Sequence, residues 1–338
     1  MKQKTGTFTP FWRAALILLP LLVCLLAIGL GRISISPADV LRTFWGKITG
    51  IQTVSDLVER TVWNIRLPRV LLAMLAGAGF SVAGCTFQSL FANPLATPDT
   101  LGVASGASFG AALGILLGFH LLGIQLCSFV FGIAAVSLTW LSGAGKGRGL
   151  SSVVLAGIMI GSLFSALVSL VKFAADAENQ LPAITYWLMG SLSGAGYESL
   201  LLGAPPIILS VAVLFLIRWR LNLLPLSDDE ICSFGVNRRL LRGVSVICAT
   251  AMTASCVSMC GQVGWVGLLI PHICRMKFGN NHLLLIPAAI SLGASFLVIV
   301  DTLARSVSAA DLPISILTAI IGAPFFIYLM RKSGGWQL

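Results

Sequence analysis

Charge is scarce in this sequence. Lys, Arg, Asp and Glu make up 10% of its 338 residues, against 57% hydrophobic, whereas soluble domains carry roughly 25% charged residues. A chain with a mean hydropathy of +0.95 cannot cover a globular surface with polar groups, so its solvent is lipid. No stretch is long and polar enough for a separate soluble domain, which leaves one membrane domain over residues 1–338. Histidine is scarce too: His120, His272 and His282 are scattered, none at metal-ligand spacing. The eight cysteines include no C-x-x-C. Cys256 and Cys260, one turn apart, are a metal or redox pair only if the bland reading fails, that of small apolar fillers in a buried helix. No paired carboxylates and no Ser/His/Asp set occur, so the chain is expected not to be an enzyme and to bind no metal or cofactor of its own.

Gly143-Ala-Gly-Lys-Gly147 has the look of a phosphate loop without its substance. Trp140 stands where the first glycine of G-x-x-x-x-G-K-[ST] belongs, and Gly147 follows the lysine. The segment also joins two apolar runs, not a strand and a helix. It is no nucleotide site.

What the chain does have is apolar runs of membrane length, about 20 residues each. They cover 14–31, 70–92, 100–119, 121–145, 149–171, 199–217, 243–271, 283–300 and 312–330. The first follows Lys2, Lys4 and Arg13 like a signal peptide, but it is long and no A-x-A site follows, so it reads as an uncleaved span. The run 243–271 is long enough to be two helices and carries Gly261-Gln-Val-Gly264 near its middle. Charge decides. Splitting it gives ten spans and places both termini on one side, with 14 of the 22 Lys+Arg but only 4 of the 12 acidic residues on that side. That is the positive-inside pattern with cytoplasmic termini. The net charge of +10 therefore reflects topology, and nucleic acid has no place here.

Four features have a physical reading. Gly102, Gly106, Gly110, Gly114 and Gly118 recur every fourth residue, a ridge expected to pack the third span tightly at the bundle centre. Before it, Thr97 can cap, Pro98 suits a first helical position and Asp99 a helix's positive end, forming a tight turn at the cytoplasmic rim, as a gate or a plain loop. In the cytoplasmic loop 218–242, Ser227-Asp228-Asp229-Glu230 is a capping box and Gly235 a helix stop. Between them lies a helix too short to be stable alone, carrying Ile231 and Phe234 and followed by Asn237, Arg238, Arg239 and Arg242. Outside, Arg66 and Arg69 flank Leu67-Pro68, and Asp301 and Arg305 are one turn apart. Ionisable groups at membrane depth default to function, although Asp301 can also simply neutralise Arg305.

The stretches Arg66-Leu-Pro-Arg69, Gln88-Ser-Leu-Phe-Ala-Asn-Pro-Leu-Ala-Thr-Pro-Asp-Thr100, Trp187-Leu-Met-Gly-Ser, Gly264-Trp-Val-Gly-Leu-Leu-Ile-Pro-His272, Asp301-Thr-Leu-Ala-Arg305 and Gly322-Ala-Pro-Phe-Phe resemble, in order and along nearly the whole chain, the FecCD-type permeases. These serve binding-protein-dependent ABC importers of ferric siderophores, haem and cobalamin. The resemblance implies an all-α, cobalamin-permease-like subunit of a type II importer in the bacterial inner membrane. It implies pairing with a second permease, ATPase subunits that hold ATP and magnesium, and an extracytoplasmic solute-binding protein. By position, Ser227 to Arg238 resembles the coupling helix that enters the ATPase, and Arg66, Arg69 and Arg305 the arginines that receive the binding protein. An ion-gradient-driven transporter is the alternative from another class, expected to show carboxylates or broken helices at mid-membrane. The deepest carboxylate in the sequence reading is Asp301, near a span end.

Overall fold

In lipid each uncharged segment must satisfy its own backbone N–H and C=O groups, which only helices do within one segment. The computed structural model describes residues 7–31, 33–51, 53–143, 150–307 and 311–332, and contains no strand among them. Helix α1 (Pro10–Gly29) leads to two short outer helices, α2 (Pro37–Thr49) and α3 (Asp56–Arg60). The latter continues through a widened π turn, Thr61–Arg66, into α4 (Leu67–Leu90). The widening has a local cause: Pro68 offers no N–H, and its ring would collide with the carbonyl four residues back. Then follow α5 (Val103–Leu116), α6 (Leu121–Gly143), α7 (Leu150–Ala174), the short α8 (Gln180–Leu188), α9 (Tyr197–Leu216), the surface helix α10 (Asp228–Ser233), α11 (Arg238–Cys260), α12 (Val266–Phe278), α13 (His282–Val307) and α14 (Ile314–Lys332).

Among the described residues, α1, α3–α4, α6, α7, α9, α11 and α13 are long and apolar enough to cross a bilayer, with α5 and α14 as shorter apolar helices. The tenth is α12. The run 243–271 is indeed broken, α11 ending at Cys260 and α12 starting at Val266, as the charge balance requires.

Helix α4 is the axis of the bundle, enclosed by α13, α11, α12 and α9. Helices α1, α6, α7 and α9 turn most of their side chains outward. Lipid gives helices no hydrophobic reason to associate, so contact area must come from close backbone approach. A Cβ on Gly77 would lie 2.2 Å from the Gly293 carbonyl oxygen, and one on Gly84 1.9 Å from that of Gly267. Both are places where only glycine fits.

The ridge expected on the third span is shorter and less central than the sequence spacing suggests. Gly106, Gly110 and Gly114 do seat α5 on α6, where added Cβ atoms would lie 2.5 Å from Phe131 O, 2.3 Å from Cys127 O and 3.1 Å from Ile124 Cα. Gly102 and Gly118 flank the helix in the left-handed region, at φ +75° and +70°. Gly102 faces Gly157 and Gly161 of α7, while nothing lies within 4 Å of a Cβ on Gly118. The even spacing continues past both ends of a 14-residue helix, so it mixes packing with termination.

Candidate functional site

Two breaks in the helices frame a cavity. The first follows α4. Ala92 takes φ +46°, the Asn93 amide N–H donates to Gln88 O (3.0 Å), and Asn93 Oδ1 accepts from the Leu95 N–H (2.9 Å). Thr97 and Thr100 then cap each other reciprocally around the 3-10 turn Pro98–Leu101. Asp99 Oδ1 accepts from the Ala104 N–H (3.1 Å) at the start of α5, at its positive end. This turn folds back alongside α4. Pro98 packs on Gly267, which lies on Gly84, six residues or about 9 Å before the end of α4 at 1.5 Å rise per residue. Asp99 thus sits on irregular backbone beside α4 and lines the cavity described next.

The second break is Gly261–Trp265. Gly261 and Trp265 both adopt positive φ, +71° and +70°. For a bulky aromatic residue this is a strained conformation, held by its surroundings. The Trp265 ring lies against Gly322, where an added Cβ would come within 2.7 Å of it, and edge-on to Phe326 at 6.4 Å. The backbone after α8 ties the end of α11 to the start of α14: the Ser191 N–H donates to Cys260 O (3.0 Å) and the Ile314 N–H to Gly190 O (2.9 Å). Between the breaks lies an open cavity of about 700 Å³, lined by Phe80, Thr97, Pro98, Asp99, Ala104, Leu188, Thr253, Val257, Gln262, Trp265, Ser315 and Ile316 among others. Irregular backbone survives at this depth because it lines a cavity. Among the described lining residues the only ionisable side chain is Asp99.

On the opposite side of the charge balance lies α10. Ser227 Oγ accepts from the Glu230 N–H (3.4 Å), while the Ser227 N–H and hydroxyl donate to Glu230 Oε2 at 2.8 and 2.7 Å. These bonds hold the Glu230 carboxyl below its ordinary range. Gly235 ends the helix at φ +69°, and Asn237 Oδ1 caps α11 by accepting from the Leu240 N–H (3.1 Å). Ile231 is fully buried and roots the helix, whereas Phe234 is 63% exposed. Asp229, Glu230 and Gly235 are exposed and Arg238 half-buried.

The three outer arginines are brought together, but inward. Arg66 (5% exposed) and Arg305 (8%) donate to the last carbonyls of α1: Arg66 Nη1 to Ile28 O (2.7 Å) and Gly29 O (2.9 Å), Arg305 Nη2 to Ala27 O. Cations suit that negative helix end. Arg66 Nη2 also donates to Ile33 O. Arg69 grips Asp301 (1% exposed) through Nε and Nη2 at 3.0 and 2.8 Å, and Asp311 through Nη1 at 2.6 Å. Arg305 adds a 3.6 Å ion pair to Asp301. Of the three arginines that the resemblance assigns to docking, Arg66 and Arg305 are thus buried and Arg69 is paired with Asp301 and Asp311. Arg66 and the Arg305 Nη2 are engaged inside the chain, because the C-terminal end of α1 leaves carbonyls to be satisfied.

Of the loop-like Gly143–Gly147, only Gly143 is within the described residues, and it ends α6. No group of three or more His, Cys, Asp and Glu positioned for a metal occurs among the described residues. Sequence reasoning missed Gln262 and Trp265 as cavity residues, although Gly261-Gln-Val-Gly264 had marked the break. It also missed the polar set Asn222, His282 and Ser89, which shares no motif.

Comparison with known proteins gives concordant results. The model of the FecCD transport family matches residues 18–332. The molybdate import system permease protein MolB of Haemophilus influenzae is 39% identical over 323 residues, covering 94% of this chain and 96% of that protein. The hemin transport system permease protein HmuU of Yersinia pestis is 36% identical over 324 residues, 92% and 93% of the two chains. A metal-chelate type ABC transporter solved in an inward-facing conformation superposes with a TM-score of 0.86 at 37% identity, covering 96% of this chain and all of that one.

Proposed function

The chain belongs to the FecCD transport family, and from that premise we propose that it is the permease subunit of an ABC importer whose cargo is an iron chelate, a ferric siderophore in the first instance and haem or cobalamin otherwise. The family assignment removes the ion-gradient transporter as an alternative. One observation carries the choice of cargo. The cavity is roomy, largely apolar and, among its described lining residues, free of lysine and arginine. Such a wall suits a bulky ligand held by shape. A bare oxyanion is instead bound by cations and converging N–H groups. Molybdate is the second reading, favoured by the 39% identity to MolB.

In this proposal two permeases, identical or not, enclose the pathway, and lipid surrounds them. An extracytoplasmic solute-binding protein delivers the cargo. The arginine cluster of Arg66, Arg69 and Arg305 lies at the outer loops on which that protein would sit. Two ATPases, holding ATP and magnesium, dock on the cytoplasmic face, where α10 presents Phe234 as an apolar knob and Asp229 and Glu230 as acidic neighbours. Both termini and residues 218–242 are cytoplasmic in the inner membrane; residues 32–66 and 172–198 face outward. ATP-driven closure of the ATPases drags α10 and reopens the cavity on the other side, as alternating access. Proteoliposomes of the full complex, offered ferric siderophore, haemin, cobalamin and molybdate in parallel, test this reading. ATP-dependent accumulation of a chelate is expected; accumulation of molybdate alone overturns the cargo assignment.

A further inference from the structure

A polar chain, half-buried at Asn222 and buried at His282 and Ser89, joins the cytoplasmic loop to the cavity wall. Asn222 lies in a 3-10 turn, Arg220–Leu223, five residues before the cap of α10. Leu221 and Leu224 on either side of it are buried, so the turn is wedged into the bundle. Its amide is fully used. Nδ2 donates to Trp219 O and to Asn281 Oδ1, both at 3.1 Å. Oδ1 accepts from the His282 backbone N–H at 2.9 Å and faces His282 Nδ1 at 2.9 Å. An amide oxygen has no hydrogen to give, so Nδ1 carries the proton in this contact. In the neutral ring Nε2 is then an acceptor, 2.7 Å from Ser89 Oγ in the last turn of α4, whose single hydrogen is shared between this nitrogen and the Cys85 carbonyl at 3.0 Å. The neighbouring Gln88 accepts from Arg275 of α12 and donates to Gly267 O (3.4 Å), and Gly267 carries Pro98 of the cavity wall. His282 and Ser89 are both buried, so water cannot replace a lost partner.

We propose that Asn222 and His282 are positioning residues whose hydrogen-bonded link delivers displacement of the α10 loop to the end of α4, and through Gln88 and Gly267 to the cavity wall. This rests on the importer reading above. Hydrophobic packing transmits push but slips under shear. A pair of directional bonds to one amide, one from the backbone and one from the ring, fixes both position and angle, and an unmade bond in a buried site is costly. The link therefore makes the 3-10 turn and the start of α13 one body.

The test is the ratio of cargo imported to ATP hydrolysed, in proteoliposomes holding permease, ATPase and binding protein and offered ferric siderophore, haemin, cobalamin and molybdate in parallel. Asn222→Ala should keep the ATPase bound and hydrolysing while this ratio falls about tenfold, the scale of one buried partner removed. Asn222→Asp keeps the acceptor on which both His282 contacts depend but loses the donor to Trp219 O and Asn281 Oδ1, so it should recover part of the ratio that Asn222→Ala loses. The double variant Asn222→Ala/His282→Ala should be no worse than Asn222→Ala, as expected of residues acting through one contact. If Asn222→Ala does not insert stably, Ser89→Ala, which breaks the same chain one bond further on, must lower the ratio. A wild-type ratio in Asn222→Ala, or in Ser89→Ala where that variant stands in, overturns the link. A wild-type complex that holds no ATPase, or imports nothing, overturns the importer reading instead.

Discussion

Gly84→Ala is a single added methyl group with a large expected effect. The new Cβ would stand 1.9 Å from the Gly267 carbonyl oxygen, 2.7 Å from its carbon and 2.9 Å from its Cα. All three are backbone atoms, so no rotamer change relieves the clash. Ordinary contact begins at 3.4 Å, so α12 must move by about 1.5 Å, a shift that forfeits much of the dispersion along that face. Gly267 cannot retreat freely, because Pro98 stands behind it, 2.8 Å from where its own Cβ would be. Overpacking of this kind costs about 1–3 kcal/mol, more where backbone is involved. The control is Gly243→Ala, on α11, where nothing lies within 4 Å of the new atom and a helical glycine is about 1 kcal/mol worse than alanine. Equilibrium unfolding in mixed detergent micelles should rank Gly243→Ala at or above wild type and Gly84→Ala well below it. Transport should fall in Gly84→Ala, since the displaced Gly267 is part of the cavity's support. Equal stability of Gly84→Ala and wild type would refute the claim that α4 and α12 meet backbone to backbone.

Three further outcomes are expected. Arg69→Ala leaves Asp301 buried with only the longer Arg305 pair and should destabilise by about 3–5 kcal/mol, measured by unfolding in detergent. Ser227→Ala should cost about 1 kcal/mol of local helix stability, read by hydrogen exchange at the Ile231 amide, which donates to Ser227 O. The Glu230 half of the cap is pH-dependent: its folded pKa is lowered, so its contribution is present at neutral pH and disappears as pH falls through the lowered folded value. Deleting 228–234 should leave an inserted permease that no longer co-purifies with its ATPase, and a cysteine at position 227 should react only with reagent on the cytoplasmic side; a retained ATPase or an externally labelled cysteine counts against the coupling and topology assignments respectively.

Much of this protein is readable before any coordinates. Scarcity of charge dictates a lipid solvent, uncharged runs dictate helices, and the imbalance of Lys and Arg divides the run 243–271 in two, where the chain does break. The capping box at Ser227 and the stop at Gly235 are local chemistry, decided within a few residues, so their geometry follows from the sequence alone. The family likeness is equally local, a series of short stretches in order.

What the tertiary structure alone decides is which side chains are left to face a ligand or a partner. Arg66 and Arg305 look like exposed charges because spacing says nothing about carbonyls; only the convergence of α1, α4 and α13 shows that the ends of α1 consume them. The fourfold glycine spacing cannot reveal that Gly102 and Gly118 lie beyond the helix, since a helix end depends on what the chain meets next. The cavity, with Asp99 and Trp265 about its wall, and the Asn222–His282–Ser89 chain join residues far apart in sequence. Hydrogen bonds and close packing act over a few ångströms of space, whereas periodicity and capping act over a few residues of chain, and only the second kind of neighbourhood is written in the order of the amino acids.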